Sequence, residues 1–380
     1  MAQDIISAAL AAMTKDETNN ETRFAPTKGL GFNRYDGNTP IEQIIHEIGA
    51  DFTVRKDPLL RVPAEILYKI QNGEAVTIDP KYLIDTHACT VREQDDKTIG
   101  VVGKDYGVIQ NDCGVQILDL LTNSSVTGTQ MSIVSAGMVH EFEPYFQVKM
   151  GEGCRLDDDN SDTEFYAFFH NSHDGGSAMQ LTFSTIRVVC KNTFMMNCNL
   201  AKTQGLVFKH TKYVNQRMAA AEVIEKVKAL NLLREDYIAK MNAFRLAKVT
   251  DKDIDRYVAN LFFGNELLEL AKTYGYNFKQ LETLPTSSTD AKDNHTVAYS
   301  TRMRNIVRSF RDTLESGIGQ DTNRGTKEWF FNGVTNYYSN VANYGTDKDT
   351  DTERATKRFD ALMGGTARKN ANQVYAMLAA

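Results

Sequence analysis

Residues His170 to Thr193 read HNSHDGGSAMQLTFSTIRVVCKNT and hold the densest collection of side chains able to hydrogen-bond, ionise or attack. His170 and His173, with Asp174 beside them, are metal-ligand types. A closed site needs four ligands, however, and a catalytic one about three with supporting partners. Polar turn residues that cap strands and bond locally are the simpler reading. Cys190 beside Lys191 has the setting of a low-pKa nucleophile awaiting a histidine. The alternation of Ile186, Val188 and Cys190 instead turns that thiol inward. A strand ends in the polar turn, a second strand returns, and Arg187 leads into Cys190, Lys191, Asn192 and Thr193 at an expected strand-to-helix junction. A hairpin puts these two polar clusters at opposite ends of the strand pair.

Polyanion binding is the other chemistry within reach, and it needs cations spaced along a path with flat groups for bases to stack on. Lys104, Tyr106, Arg187, Lys191, Asn192, Lys209, His210, Lys212, Tyr213 and Arg217 supply both. Arg304, Arg308 and Arg311 add one face of a helix opposite an apolar stripe. Asn332, Asn336, Asn340 and Asn343 also share a helical face, and asparagine is a poor helix former, so the stripe signals a demand for amide hydrogen bonds. GVVGKDYG and GTARKN lack the phosphate-loop pattern. DKDTDTE, from Asp347, alternates carboxylates like a calcium loop, but Thr352 replaces the required glycine and Arg358 the final glutamate. No G-x-S-x-G or H-E-x-x-H occurs, so the expectation is a binding protein without cofactor or metal and not an enzyme of a familiar class.

The elements that must position these residues are legible from periodicity. Strand-like runs, DFTVRK, THACTVRE, TIGVVG, MSIVSAGMVH, YFQVKM, EFYAFFH and AMQLTFSTIRVV, are separated by Gly, Asp and Asn clusters. Among them NDCGVQILDLLTN carries Val115, Leu118 and Leu121 at helical spacing. After Thr193 the period changes: Val223, Val227, Leu230, Leu233, Tyr237, Met241 and Phe244 mark one long helix. Met303 to Leu314 and Phe330 to Val341 mark two more. The expected class is α+β, an antiparallel sheet core with a packed helix followed by a largely helical C-terminal half. The expected divisions are an N-terminal arm over 1–38, an α+β core domain over 39–213 and a helical region over 214–380. LPTSSTDAKDN, near 284–294, reads as a surface loop.

Composition narrows the function classes. With 380 residues, 42% hydrophobic and 24% charged, the chain is globular rather than disordered. No apolar run approaches the roughly 20 residues that cross a bilayer. Asp4 stands where a secretory leader carries positive charge, so secretion is not expected. Cys89, Cys113, Cys154, Cys190 and Cys198 are odd in number with no C-x-x-C, which fits reduced thiols in a cytoplasm. The net charge of -6 argues against indiscriminate coating of nucleic acid. Yet Gln180 to Thr250 holds 12 Lys and Arg against 4 Asp and Glu, while acid gathers in Asp157, Asp158, Asp159, Asp162 and Glu164. Segregated charge can draw a polyanion to one face.

Several short motifs in order, GVVGKDYGVIQN (100–111), NSHDGG (171–176), RVVCKNT (187–193), FKHT (208–211) and the GT…W…NGVTNYYSN segment from Gly325 to Asn340, resemble the large phage/plasmid-like protein family, a domain of unknown function. The likeness covers roughly residues 28 to 379. Its signature positions fall on His173, Asp174, Gly175, Arg187, Cys190, Asn192, Thr193, His210, Gly325, Thr326, Asn332 and Tyr337. Members often carry a Trp-His pair near the N-terminus, where this chain has GLGFNRYDG. GVVGKDYGVIQNDCGVQILDLL is also similar to the strand-turn-strand-helix opening of eukaryotic-type single-strand annealing recombinases, which hold single strands in a basic groove. These resemblances imply a phage or mobile-element protein in the host cytoplasm that binds single-stranded DNA, as an oligomer that promotes annealing. The alternative is a factor that binds and redirects a host defence or replication enzyme, with the acidic stretch as a DNA mimic.

Overall fold

Alternating runs of β-branched and aromatic residues form the strands, and runs of period 3.6 form the helices that follow. The computed structural model describes residues 25–380 except 158, 160, 189–190, 197–206, 213–219, 264–267, 270–274 and 276–300. In chain order the strands are β1 Asn33–Arg34, β2 Val54–Leu60, β3 Leu83–Arg92, β4 Lys97–Gly103, β5 Met131–Val139, β6 Glu143–Met150, β7 Cys154–Arg155, β8 Asp162–His170, β9 Met179–Arg187, β10 Asn192–Met195 and β11 Val207–Phe208. The main helices are α1 Ile41–Glu47, α2 Ala64–Gln71, α3 Asn111–Thr122, α4 Ala220–Leu246, α5 Asp251–Phe262, α6 Thr301–Ser316, α7 Lys327–Asn336, α8 Asp351–Met363 and α9 Thr366–Ala379. The main antiparallel sheet runs β1-β5-β6-β8-β9-β10, with β7 on β8 and β11 on β9. Strands β2, β3 and β4 form a separate antiparallel meander. This is the expected α+β class, with helices concentrated after the sheet core. Among the described residues no helix is long and apolar enough to cross a membrane.

The main sheet is buried on both faces, and β8 shows why. Phe165, Ala167 and Phe169 enter the large core with residues of α3, α4 and α7. Tyr166 and Phe168 face a smaller cluster closed by Phe359 and Met363 of α8 and by Leu30 and Phe32. Successive strand residues point to opposite faces, so a strand that is apolar at nearly every position must be covered twice.

Three expectations are refined. The arm over 1–38 is joined to the core at its end, because β1 pairs with β5 and Tyr145 donates to the Gly31 carbonyl at 3.2 Å; residues 1–24 lie outside the described residues. The junction after Arg187 is a second hairpin rather than a strand-to-helix turn. Lys191 takes a left-handed φ of 54°, Asn192 pairs back on Arg187, and Phe194 and Met195 then fill opposite faces of the sheet. DKDTDTE is a helix start: Thr350 and Glu353 form a reciprocal capping box, and Asp349 binds Lys357 at 2.7 Å. The loop expected near 284–294 lies outside the described residues.

A buried ionic network ties sheet to helices. Arg187 on β9 donates to both oxygens of Asp159 at 3.2 and 2.8 Å, and Arg245 on α4 lies 3.4 Å from the same carboxylate. Arg245 also donates to both oxygens of Glu328 on α7, at 3.1 and 2.9 Å. Asn323 and Asn332 add amide donors to Glu328 at 2.8 and 3.2 Å. Burial alone pushes the Asp159 carboxyl up, but the bonds and charge of Arg187 outweigh it and hold the group below the usual carboxylate range. Removing one member leaves buried charge uncompensated. Asp159→Asn is therefore expected to lower stability by about 3–5 kcal/mol, read from the urea midpoint; a loss below about 1 kcal/mol contradicts a network of this kind.

Candidate functional site

The turn between His170 and Met179 is fastened on every side. The Asn171 amide donates to the Ile109 carbonyl at 3.0 Å, and the Tyr106 hydroxyl donates to the Ser172 carbonyl at 3.1 Å. His173 lies 2.9 Å through Nε2 from Asn111 Oδ1, whose own amide donates to the Ala50 carbonyl. With its oxygen as acceptor, His173 must carry its proton on Nε2. Asp174 accepts from Ser172 Oγ and from the Gly176 N–H at 2.7 Å. Gly100 of β4 meets this turn so closely that a Cβ there would lie 2.7 Å from the Asp174 backbone. The polar residues of HNSHDGG therefore do serve local bonding, and they also dock the small sheet on the large one.

A ledge of lysines lies on the side of Tyr106. The Tyr106 and His210 rings stack at 4.6 Å and 4°. The Gly107 N–H donates to the His210 carbonyl at 3.1 Å, and His210 Nδ1 donates back to the Gly107 carbonyl at 3.0 Å. These bonds bring Lys104 into the same neighbourhood as Lys209 and Lys212, all exposed. Lys56, exposed on β2, donates to the carbonyls of Lys104 and Tyr106 at 2.8 Å each and joins them. Sequence reasoning missed Lys56. Its only signal is its outward place in the alternation of β2, which says nothing about proximity to Lys104.

The other expected contact residues are elsewhere. Arg187 and Asn192 sit at the far end of the β8–β9 pair, since Gln180 faces His170 whereas Arg187 faces Thr163, about 24 Å of strand away. Both are buried, Arg187 in the ionic network and Asn192 donating to the Asn332 carbonyl at 3.1 Å, so neither is placed to meet a phosphate directly. Lys191 is half-buried in that same hairpin. On α6, Arg308 is exposed, Arg304 is half-buried and Arg311 binds Asp255 at 2.7 Å. Arg217, Tyr213 and Cys190 lie outside the described residues. Asn332, Asn336 and Asn340 of the asparagine stripe bond inside the fold, to Glu328, to the Ile318 carbonyl, and to Asn192 Oδ1 and Asn336 Oδ1 respectively, while Asn343 is exposed and accepts from the Gly345 N–H. The acidic stretch is met by cations, Asp162 by Arg155 and Glu164 by Lys149, besides Asp159.

On the opposite side of the turn a cavity of about 470 Å³ is lined by His140, Glu143, His170, Asp174, Asp360 and Phe359, among others. His170 is 1% exposed, with Nδ1 2.9 Å from Glu143 Oε1. Ser177 donates to the same oxygen at 3.3 Å, and His140 lies 3.7 Å from Asp360. The Asp360 carboxylate raises the His140 pKa. Among the described residues no group of three or more His, Cys, Asp or Glu is arranged to hold a metal ion. Cys113 is pushed up to about 11 by burial, away from nucleophilic character.

Compared with known proteins, residues 98–363 match the model of a family described as a domain of unknown function, DUF932. No curated protein and no solved structure matches the chain.

The two histidines behind the ledge make its anchoring sensitive to acid. Burial lowers His173 to about 3, helped by the neighbouring His210 charge, and burial lowers His210 to about 4. Both are neutral when folded, and both take up a proton on unfolding below their ordinary value of 6.5. Stability is thus retained above that value and falls as the pH drops from it toward the folded values, by up to about 1.4 kcal/mol per unit for each histidine. His173→Gln is expected to flatten this slope between pH about 6 and 4.5 by up to that amount. An unchanged slope in urea denaturation contradicts the buried, neutral state.

Proposed function

This chain belongs to the DUF932 family of unknown function, and from that premise we propose that it binds single-stranded nucleic acid, DNA first, on the lysine ledge around Tyr106 and His210. The observation that carries the reading is that backbone bonds set the stretch of Lys104 beside that of Lys209 and Lys212, with Lys56 Nζ on the Lys104 and Tyr106 carbonyls and all four lysines exposed. Four ammonium groups on one ledge neutralise successive phosphates without reading bases. The stacked pair beneath them supplies a rigid flat support rather than a free platform, because Tyr106 is held by its ring and its hydroxyl together.

Strand annealing as the role rests on the resemblance of residues 100–121 to the strand-turn-strand-helix opening of annealing recombinases, of which β4, the Lys104–Gly107 turn and α3 are present while residues 108–110 form no strand. A phage or mobile-element origin and a place in the host cytoplasm belong to the same reading. Annealing as an oligomer draws support from α2, which has no buried residue: Leu67, Tyr68 and Ile70 are exposed on it, and Leu60, Val62 and Leu83 are exposed nearby in sequence. An apolar surface of this kind marks a protein contact. The same surface favours the second reading, a factor that engages a host defence or replication enzyme. Of its acidic mimic, Asp159, Asp162 and Glu164 are engaged by cations, Asp157 is exposed and Asp158 lies outside the described residues.

Fluorescence anisotropy with an arbitrary-sequence oligonucleotide across a salt series tests the proposal. Binding that weakens with a log–log slope of about -3 is expected for four phosphate contacts on a single strand. Substituting Lys104, Lys209 and Lys212 together by alanine should lower affinity uniformly across sequences and reduce the slope by about 2. No binding at low salt, or a triple variant that binds like the parent, refutes it.

A further inference from the structure

The cavity beneath the other side of the turn has a charge pattern opposite to that of the ledge. Glu143, Asp174 and Asp360 border it, and no lysine or arginine is among the described residues that line it. One guanidinium stands directly behind the wall, where Arg368 donates to Gln180 Oε1 at 3.3 Å and to the carbonyls of Met363 and Met196. Helix α8 ends at the cavity with Met363 and Gly364 in its wall, its last carbonyls taken by Arg368 and by the Gly364 and Gly365 N–H groups, so the negative charge facing the cavity is that of the carboxylates. A phosphate or a carboxylate ligand meets repulsion here, and a cation is attracted.

His170 gives an independent sign that something is to be bound. The Glu143 carboxylate accepts from Nδ1, so in the neutral imidazole Nε2 keeps its lone pair. That atom is buried and has no hydrogen-bond partner among the described residues. A buried acceptor left without a donor is costly, by about 1–3 kcal/mol, and is uncommon in folded chains. The ring borders the cavity. The approach is also built with strain. His140 and Glu141, at the β5–β6 hairpin, both adopt left-handed φ angles, 53° and 64°, where glycine or asparagine is usual. The turn so formed holds His140 in the wall opposite Asp360.

We propose that this cavity binds a small organic cation, an alkylammonium or guanidinium group, with Glu143, Asp174 and Asp360 balancing its charge and His170 accepting one of its N–H groups. The volume, about 470 Å³, lies in the range of small-molecule sites, and Phe359 and Met363 offer an apolar wall for the carbon chain. The donor set favours an organic cation over a metal ion, since no three of its ligating groups converge. The site is separate from the ledge, so each stands or falls alone.

The full chain is titrated by calorimetry with methylammonium, agmatine and spermidine, while the imidazole nitrogen resonances are followed by NMR. Inorganic phosphate and manganese(II) form separate arms. At least one organic cation is expected to bind saturably and to shift the His170 Nε2 resonance. Asp360→Asn, on a side chain that is 57% exposed and so leaves the core intact, is expected to weaken binding about tenfold, and Glu143→Gln at least as much. The proposal is overturned by any of three results: no saturable binding of the three cations up to about 10 mM, affinity unchanged in Asp360→Asn, or a His170 shift produced by phosphate or manganese instead.

Discussion

Everything at the functional end of this protein depends on one polar turn, Asn171–Gly176, whose buried first half, Asn171–His173, is bonded in place where the main sheet meets the small one. A chain segment that leaves a sheet inside the protein must find partners for its backbone polar groups. Here the partners come from three directions: the Ile109 carbonyl and Asn111 at the start of α3, the Tyr106 hydroxyl before it, and the close backbone of Gly100 on β4. Because β8 alternates faces, His170 falls on the α8 side of the sheet while Asn171 and His173 bond to the start of α3. One turn thereby separates a positive ledge from a negative cavity.

Charge placement in the fold explains why net charge alone says little. The arginines that look free in the sequence, Arg187 and Arg245, are spent on Asp159 and Glu328, and these bonds join β9, α4 and α7. What remains at the surface by Tyr106 is lysine. That division follows physical chemistry: the planar guanidinium satisfies buried carboxylates with paired hydrogen bonds, whereas the strongly hydrated ammonium stays in water.

The sheet core and the long helices were legible because β8 and β9 are short runs rich in β-branched and aromatic residues bounded by turn signals, while α4 and α6 keep apolar residues at period 3.6. Helix α2 was not, since it buries no residue and its apolar side chains carry no inward stripe. Helix α8 had a readable start in Thr350-x-x-Glu353, obscured by alternating carboxylates that mimic a calcium loop. The lysines of the ledge were visible as residue types, but their division from Arg187 and Asn192 is a matter of strand register, Gln180 opposite His170 and Arg187 opposite Thr163. Glu143 carried no signal at all. It becomes the partner of His170 only because the β6–β8 pairing sets Tyr145 against His170, two residues from it.

The central claim is that nucleic acid meets the chain at the Tyr106 end of the sheet and not at the Arg187 end. The most direct measurement is photo-crosslinking of the full chain to an oligonucleotide carrying a photoreactive base, followed by peptide mapping. Adducts confined to peptides that hold Lys56, Lys104–Gly107 and Lys209–Lys212 are the predicted result. Adducts concentrated on Arg187–Asn192 or on the Arg304–Arg308 face of α6, with none on the ledge, would contradict it.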